Sequence, residues 1–127
     1  MGRVAATRGA LRKGGRQMNE LLLVISNFPD RASAETAADA LVNANLAACV
    51  NILGGCTSVY RWDGKVEHAN EVPLLIKTTR AAYPHLESAL RELHPYELPE
   101  IIAVPVTAGL PAYLDWVAQE TQPRNTE

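Results

Sequence analysis

The sequence has 127 residues, of which 47% are hydrophobic and 20% charged, and this composition is typical of one globular domain. No apolar run approaches the ~18 residues of a membrane-spanning helix, so we expect no membrane association. Five of the 12 basic residues lie in residues 1–19, which leaves seven against all 14 acidic ones, and so acidic a body disfavours nucleic acid as a partner.

Residues 1–19 are predicted to be a disordered basic leader. They contain no acidic residue, and they lack the apolar centre of a secretory signal. A flexible tail, a transit-like segment and the product of an upstream start codon all remain open. We place the folded domain at residues 20–122 and a flexible tail at residues 123–127.

The first predicted elements are a strand, a helix and a second strand. Residues 20–26 form an aliphatic run that is typical of a strand buried on both faces. Asp30 or Ser33 can cap the helix that follows. Residues 46–53 again suit a strand, and Gly54-Gly55 allows a bulge after it. The helix has one apolar stripe: Ala34, Ala37, Ala38, Leu41 and Val42.

A long antiparallel hairpin follows, with its tip at residues 62–65 and a return strand that begins at Lys65 and Val66. Two apolar-rich runs, residues 58–62 and 72–78, lie on either side of the tip. The dipeptide Asp63-Gly64 between them suits a type I′ turn, because both residues tolerate a positive φ. Tyr60 and Trp62 alternate on one face near the tip. Because a lone two-stranded ribbon is only marginally stable, we expect it to pack on another surface, such as a second copy of the chain.

The remaining elements are a helix at residues 81–94, a strand at 100–107 and a helix at 110–122. Pro105 has no N–H for a sheet, so the last strand should lie at an edge or contain a bulge. The last helix could pack on the sheet through Leu110, Leu114 and Val117.

The order of elements predicts an α+β fold, a ferredoxin-like βαββαβ antiparallel sheet with an extra C-terminal helix. Both main helices would cover one sheet face. The other face would carry alternate aliphatic residues, a larger apolar surface than monomers tolerate, and this predicts an oligomer.

The densest polar and aromatic cluster is residues 94–97, His-Pro-Tyr-Glu, followed by Pro99 and Glu100. It suits either a helix stop that braces the next strand or a cleft wall offering imidazole, phenol and carboxylate groups. Lys77 lies within an aliphatic strand, where an unpaired ammonium is costly. A structural ion pair of Lys77 with a carboxylate (candidates Glu71, Glu97 and Glu100) and a ligand-binding role both remain open.

The two cysteines, Cys49 and Cys56, are seven residues apart, which on one strand points them to opposite faces. Two cysteines so placed are too far apart to form a disulfide, so we expect reduced thiols in the cytosol. Cys49 and His94 could meet only through the fold, and a thiolate with an imidazole would favour copper. No nucleophile elbow, phosphate loop or HExxH motif is present, so we expect no enzymatic activity.

Residues 20–121 resemble the CutA family, the divalent-cation tolerance proteins. The resemblance implies a cytoplasmic, ferredoxin-like homotrimer, related in architecture to PII signalling proteins and associated with tolerance to copper and other divalent metals. Bacterial members are linked to copper binding, and animal relatives to anchoring of acetylcholinesterase. The basic leader and Cys56 depart from the family pattern. Five motifs carry the resemblance: Leu46-Ala47-Ala48-Cys49-Val50-Asn51-Ile52, Ser58-x-Tyr60-x-Trp62-x-Gly64-Lys65, Glu71-Val72 with Ile76-Lys77-Thr78, His94-Pro95-Tyr96-Glu97 with Pro99-Glu100, and Tyr113-Leu114-x-Trp116.

The resemblance carries over two metal-site positions, Cys49 and His94, for weakly bound copper or another divalent cation. Our first hypothesis is a non-enzymatic trimer that binds metal or senses a small ligand, in the manner of PII proteins, in clefts between subunits. The second is a trimeric interaction scaffold without a specific metal site. The predicted cleft residues are Tyr60, Trp62, Lys77, Tyr96, Glu97 and Trp116.

Overall fold

The computed structural model describes residues 20–123. The predicted leader, residues 1–19, and residues 124–127 of the predicted tail lie outside this range. The strands are β1 (Leu21–Phe28), β2 (Cys49–Ile52), β3 (Cys56–Trp62), β4 (Lys65–Thr79) and β5 (Ile102–Pro105). The helices are α1 (Arg31–Asn43), α2 (Tyr83–Leu93) and α3 (Pro111–Glu120).

The strands form one antiparallel sheet organised around β4. β4 pairs with β1 and with β2, and β5 pairs with the other edge of β1, which gives the order β2-β4-β1-β5. β3 pairs with the N-terminal half of β4. The predicted α+β class, with an antiparallel sheet and a C-terminal helix, is confirmed. Pro105 lies on an edge strand, as its missing N–H requires.

α1 and α2 pack on the same face of the sheet and form the core with it. Full burial of each valine, leucine, isoleucine or phenylalanine side chain in this core stabilises the fold by about 1.5–3 kcal/mol. The expectation that β1 is buried on both faces is wrong for the single chain, because from Leu22 onwards only alternate residues are buried, while Leu23, Ile25 and Asn27 on the other face are partly exposed. Val42 was predicted on the buried stripe of α1 but is exposed. The core comprises Val24, Phe28, Ala34, Ala37, Leu41, Ala47, Leu74, Ile76, Leu86 and Leu90.

β3 and β4 form the predicted hairpin, here called the arm. Trp62 pairs with Lys65, and the two turn residues have positive φ, 53° for Asp63 and 79° for Gly64. These values are those of the predicted type I′ turn. Between β2 and β3, the three residues 53–55 lie opposite only two residues of β4, 72 and 73. The first strand therefore contains one residue more than its partner, and this extra residue is the predicted bulge at Gly54-Gly55.

The other sheet face, here called the open sheet face, is largely apolar, apart from Lys77 and Asn51, and is only partly covered. Register places Leu23 beside Val104 and Ile25 beside both Leu75 and Ile102. Ile102 is 49% exposed and Val104 is 43% exposed.

α3 reaches this side of the sheet, where Thr121 contacts Thr79 and Val117 is fully buried. Leu110, which was expected to pack on the sheet, is exposed and precedes the helix. None of the three helices in residues 20–123 is long and apolar enough to cross a bilayer.

Several elements are shorter than their sequence patterns predict. β2 begins at Cys49 rather than residue 46, since the carbonyl of Leu46 accepts from the Thr78 side chain instead of joining the strand ladder. β5 ends at Pro105, although the N–H of Val106 still donates to the carbonyl of Leu21 at 2.9 Å. α2 begins at Tyr83, with a proline in its first turn, and ends at Leu93. α3 spans only Pro111–Glu120.

Candidate functional site

A cleft of about 760 Å³ lies where the arm meets the segment 94–100 that follows α2. The arm supplies Tyr60 and Trp62 from β3 and Glu71 from β4, and the segment supplies Tyr96, Glu97 and Glu100. Because side chains alternate along a strand, Tyr60 and Trp62 share one side of the arm. The structure thus brings together four of the predicted cleft residues, Tyr60, Trp62, Tyr96 and Glu97, within one chain.

Glu71 is the centre of the polar contacts in this cleft. Its side chain is nearly buried, with 9% relative exposure. The hydroxyl of Ser58 donates to one carboxylate oxygen at 2.6 Å, and the phenol of Tyr96 donates to the other at 2.8 Å. Hydrogen bonds to an ionised acceptor are stronger than neutral ones, so these two donors offset the cost of burying the charge.

Tyr96 acts in this pair as a hydrogen-bond donor and not as an acid. Burial raises the pKa of Tyr96 to about 12, and the neighbouring Glu71 carboxylate adds to the rise. The phenol therefore stays protonated across the physiological range and keeps its proton directed at Glu71. The cleft gains a fixed donor and no further negative charge.

His94 holds the segment 94–100 in place through both ring nitrogens. Its Nδ1 accepts from the backbone N–H of Tyr96 at 3.1 Å, so the ring proton lies on Nε2, which donates to the carbonyl of Asn27 at 2.7 Å. The ring also packs on Phe28, with centroids 4.1 Å apart. Desolvation lowers the pKa of His94, against the opposing effects of the Asn27 carbonyl and of Glu71. His94 is therefore a neutral structural residue in this chain.

A pH dependence of stability follows from His94. Its folded pKa lies below the ordinary value of 6.5, so on acidification the unfolded chain takes up this proton first. The stabilisation is fully present above the ordinary pKa and is lost as pH falls from there through the lowered folded pKa. We expect the urea midpoint to drop between about pH 7.5 and about pH 5, and to drop less in His94→Gln.

The control for this prediction is His85→Gln, which changes an exposed histidine of α2. His85→Gln should keep the wild-type slope of stability against pH. An equal slope in His94→Gln and in the wild type would contradict the prediction.

Lys77 and Trp116, the other two predicted cleft residues, do not line this cleft. The ammonium of Lys77 contacts the side-chain oxygen of Asn51 and lies 3.9 Å from the Cys49 sulfur. Within residues 20–123, Lys77 forms no ion pair with Glu71, Glu97 or Glu100. A pair between Lys77 and one of these carboxylates across a subunit contact stays a prediction. Trp116 lies on α3 beside Tyr113, with ring centroids 5.6 Å apart. Burial raises the pKa of Tyr113, helped by its contact with Cys49.

Cys49 and His94, the two predicted metal ligands, lie in separate environments. Cys49 is opposite Lys77 on the open sheet face and beside Tyr113, whereas His94 packs on Phe28 and has both nitrogens engaged. Within residues 20–123, no three His, Cys, Asp or Glu side chains converge on a common metal position. Both cysteines are free thiols, as predicted.

Four residues that shape the cleft were not predicted as part of it: Glu71, Ser58, Asn27 and Glu100. A signal for the first two was present, since the two-residue turn at Asp63-Gly64 fixes a register that sets Glu71 opposite Cys56, two residues from Ser58. Asn27 and Glu100 meet only in the fold, where the Asn27 amide donates to Glu100 at 2.9 Å.

The comparisons with known proteins agree on one family. Its model, described as CutA1 divalent ion tolerance protein, matches residues 22–120. A divalent-cation tolerance protein CutA from Thermus thermophilus is 47% identical over 104 residues, which cover 82% of this chain and 99% of that protein. The crystal structure of CutA from Xylella fastidiosa has a TM-score of 0.79 at 47% identity, covering 80% of this chain and 98% of that one.

Two of the similar proteins carry a compartment in their names. The CutA structure from Archaeoglobus fulgidus, 31% identical with a TM-score of 0.78, is called periplasmic. The chloroplastic protein CutA of Arabidopsis thaliana is 39% identical over 101 residues, which cover 80% of this chain and 56% of that protein. This chain therefore spans little more than half of the Arabidopsis relative.

Proposed function

Because this chain belongs to the CutA1 family of divalent ion tolerance proteins, we propose that it acts as a non-enzymatic homotrimer in the response to divalent metal ions. The subunit would be ferredoxin-like, and the strand order β2-β4-β1-β5 with two helices on one face supports that description. The observation that carries the proposal is the open sheet face, whose valine and isoleucine side chains are left half-exposed.

The assembly proposal also draws on the arm. On the side of the arm opposite Tyr60 and Trp62, two large apolar side chains, Val59 and Val66, are exposed. Together with the open sheet face they form more apolar surface than a monomer usually carries. Sedimentation equilibrium tests the proposal, since a homotrimer has three times the 13.8 kDa mass of one chain. A monomer at micromolar concentration would contradict it.

Copper is the cation that we propose for a soft site at Cys49, because a thiolate is the softest side-chain ligand of the family pattern. Cys49 and His94 are apart within one chain, so a site that used both would need them from different subunits. Lys77 beside Cys49 repels a second cation, and His94 would have to give up a hydrogen bond. Binding should therefore be weak.

A copper titration tests this site. We expect Cys49→Ser to weaken copper binding by about tenfold or more, equivalent to about 1.4 kcal/mol, because a thiolate ligand is lost. Cys56→Ser is the matched control, since Cys56 is also a free, half-buried thiol but lies on the arm beside Ser58. Isothermal titration calorimetry measures the affinities. Equal values for wild type and Cys49→Ser would remove Cys49 from the proposal.

The cleft favours a second candidate function, a sensor of a small ligand in the manner of PII proteins. The cleft has the size and the mixed aromatic and polar lining of ligand sites in proteins. Metal response and ligand sensing are compatible, because Cys49 lies outside this cleft.

We propose no catalytic role. A Cys49 nucleophile would need His94 as its base, and the His94 ring is hydrogen-bonded to the carbonyl of Asn27. A cytoplasmic location, which reduced thiols favour, is likewise a proposal. The chloroplastic relative means that the compartment must be measured for this chain. Fractionation of the cells that express it is the direct test.

A further inference from the structure

The charge balance of the cleft between the arm and the segment 94–100 points to its ligand. Its lining holds three carboxylates, Glu71, Glu97 and Glu100, and includes no lysine or arginine. Within residues 20–123 the salt bridges are Arg31 with Glu35 and Arg80 with Glu20, so none of the three carboxylates has a basic partner there. At neutral pH the cleft is a negative cavity without an internal counter-charge.

The hydrogen bonds of the carboxylates leave acceptor capacity for a ligand. Glu71 receives one hydrogen bond on each oxygen, from Ser58 and from Tyr96, and a carboxylate accepts about four. Glu100 receives one, from Asn27. Glu97 is exposed at the cleft. These groups are all acceptors at neutral pH, so a matching ligand must supply N–H donors and positive charge.

The aromatic side chains add a second and independent preference for a cation. Tyr60 and Trp62 line the cleft from the arm, and Trp62 is 53% exposed. A cation over the face of tryptophan or tyrosine is attracted by the ring quadrupole. Arg61 lies between them in sequence, and strand alternation directs it to the opposite side of the arm, whereas Lys65, the cross-strand partner of Trp62, shares the side of Trp62 but does not line the cleft.

The spacing of the carboxylates distinguishes an organic cation from a metal ion. No three acidic, histidine or cysteine groups in the described chain converge on one point. The three carboxylates instead line a cavity of about 760 Å³ together with the aromatic side chains of Tyr60, Trp62 and Tyr96. This arrangement fits an extended molecule with an apolar middle better than it fits one ion.

We propose that this cleft binds a small organic cation that carries N–H donors, an alkylamine or an alkylguanidinium. The ammonium or guanidinium groups lie against the carboxylates of Glu71 and Glu97, and the alkyl chain lies on Trp62. The inference rests on the ligand-sensing form of the proposed function and names its ligand class.

Agmatine, an alkyl chain with an ammonium at one end and a guanidinium at the other, is the probe. Its control is 4-guanidinobutyrate, which keeps the guanidinium and replaces the ammonium with a carboxylate. We expect saturable calorimetric binding of agmatine to the full-length protein at low salt, and at least tenfold weaker binding of 4-guanidinobutyrate. Binding of agmatine should weaken when sodium chloride is raised, because the attraction is between charges.

Three variants locate the binding. Glu97→Gln and Trp62→Leu change exposed cleft residues, and each should weaken agmatine binding about tenfold or more. Glu92→Gln removes an exposed carboxylate of α2 outside the cleft and should bind agmatine as the wild type does.

No saturable binding of agmatine, equal affinities for agmatine and 4-guanidinobutyrate, or wild-type affinity in both cleft variants would each overturn the proposal. Circular dichroism on each variant checks that it is folded. The same samples in sedimentation and copper titration report separately on the trimer and on the metal site, so a failure of this inference is distinguishable from a failure of the proposed function.

Discussion

Val104→Lys is expected to convert the proposed trimer into monomers. Val104 lies on the open sheet face beside Leu23 and is 43% exposed in the single chain. In a monomer the lysine ammonium stays in water, so the subunit remains folded. In an apolar contact between subunits an unpaired ammonium costs about 3 kcal/mol or more, and a trimer contains three such positions. Each contact then weakens by more than about a hundredfold.

Val42→Lys is the matched control for this substitution. Val42 is a valine of almost the same exposure, 41%, but it lies on α1, which packs on the other face of the sheet. Sedimentation equilibrium at micromolar concentration should give wild-type mass for Val42→Lys and monomer mass for Val104→Lys. A Val104→Lys protein of wild-type mass would show that the open sheet face is not the contact.

Phe28→Ala is expected to have the largest effect on the stability of the subunit. The ring of Phe28 is fully buried in the core, and replacement of such a ring by alanine costs about 3–5 kcal/mol. The same ring supports His94, which holds the backbone of Tyr96, whose phenol in turn holds Glu71. We therefore expect Phe28→Ala to disturb the cleft as well as the core.

Phe28→Leu separates the two effects, because it keeps most of the apolar volume and loses the ring contact with His94. We expect it to cost less than about 1.5 kcal/mol. Urea unfolding at one fixed protein concentration measures both variants, since the stability of an oligomer depends on concentration. A loss below about 1 kcal/mol for Phe28→Ala would contradict the prediction.

Features set by local chemistry were predictable from the sequence. The turn at Asp63-Gly64 requires two residues that tolerate positive φ, and no distant contact competes with that requirement. The bulge at Gly54-Gly55 and the edge position of Pro105 follow from backbone properties of glycine and proline in the same way. Burial patterns were less reliable, because Val42 lies on the apolar side of its helix by sequence and yet extends beyond the edge of the core.

The contacts of the cleft were only partly predictable. The aromatic pair of the arm and the segment 94–97 stand out as residue types, but their meeting depends on how the segment wraps over the end of β1. The partner of Lys77 depends on the register of β2 against β4, which the hydrophobic pattern leaves open, and that register sets Asn51 and Cys49 within its reach. Cys49 and His94 were assigned to one site from their residue types and from the family resemblance, and neither of these shows whether the two side chains meet within one chain.

The unbroken course of β4 limits how the arm can move and how its length can vary. One unbroken strand passes from the middle of the sheet to the tip of the arm, so the arm has no hinge of its own and behaves as a lever fixed to the core. Insertions can lengthen this lever only as matched residues on both strands. Insertions between the sheet and Tyr60 must also come two per strand, since a single inserted pair there would turn Tyr60 and Trp62 away from the segment 94–100.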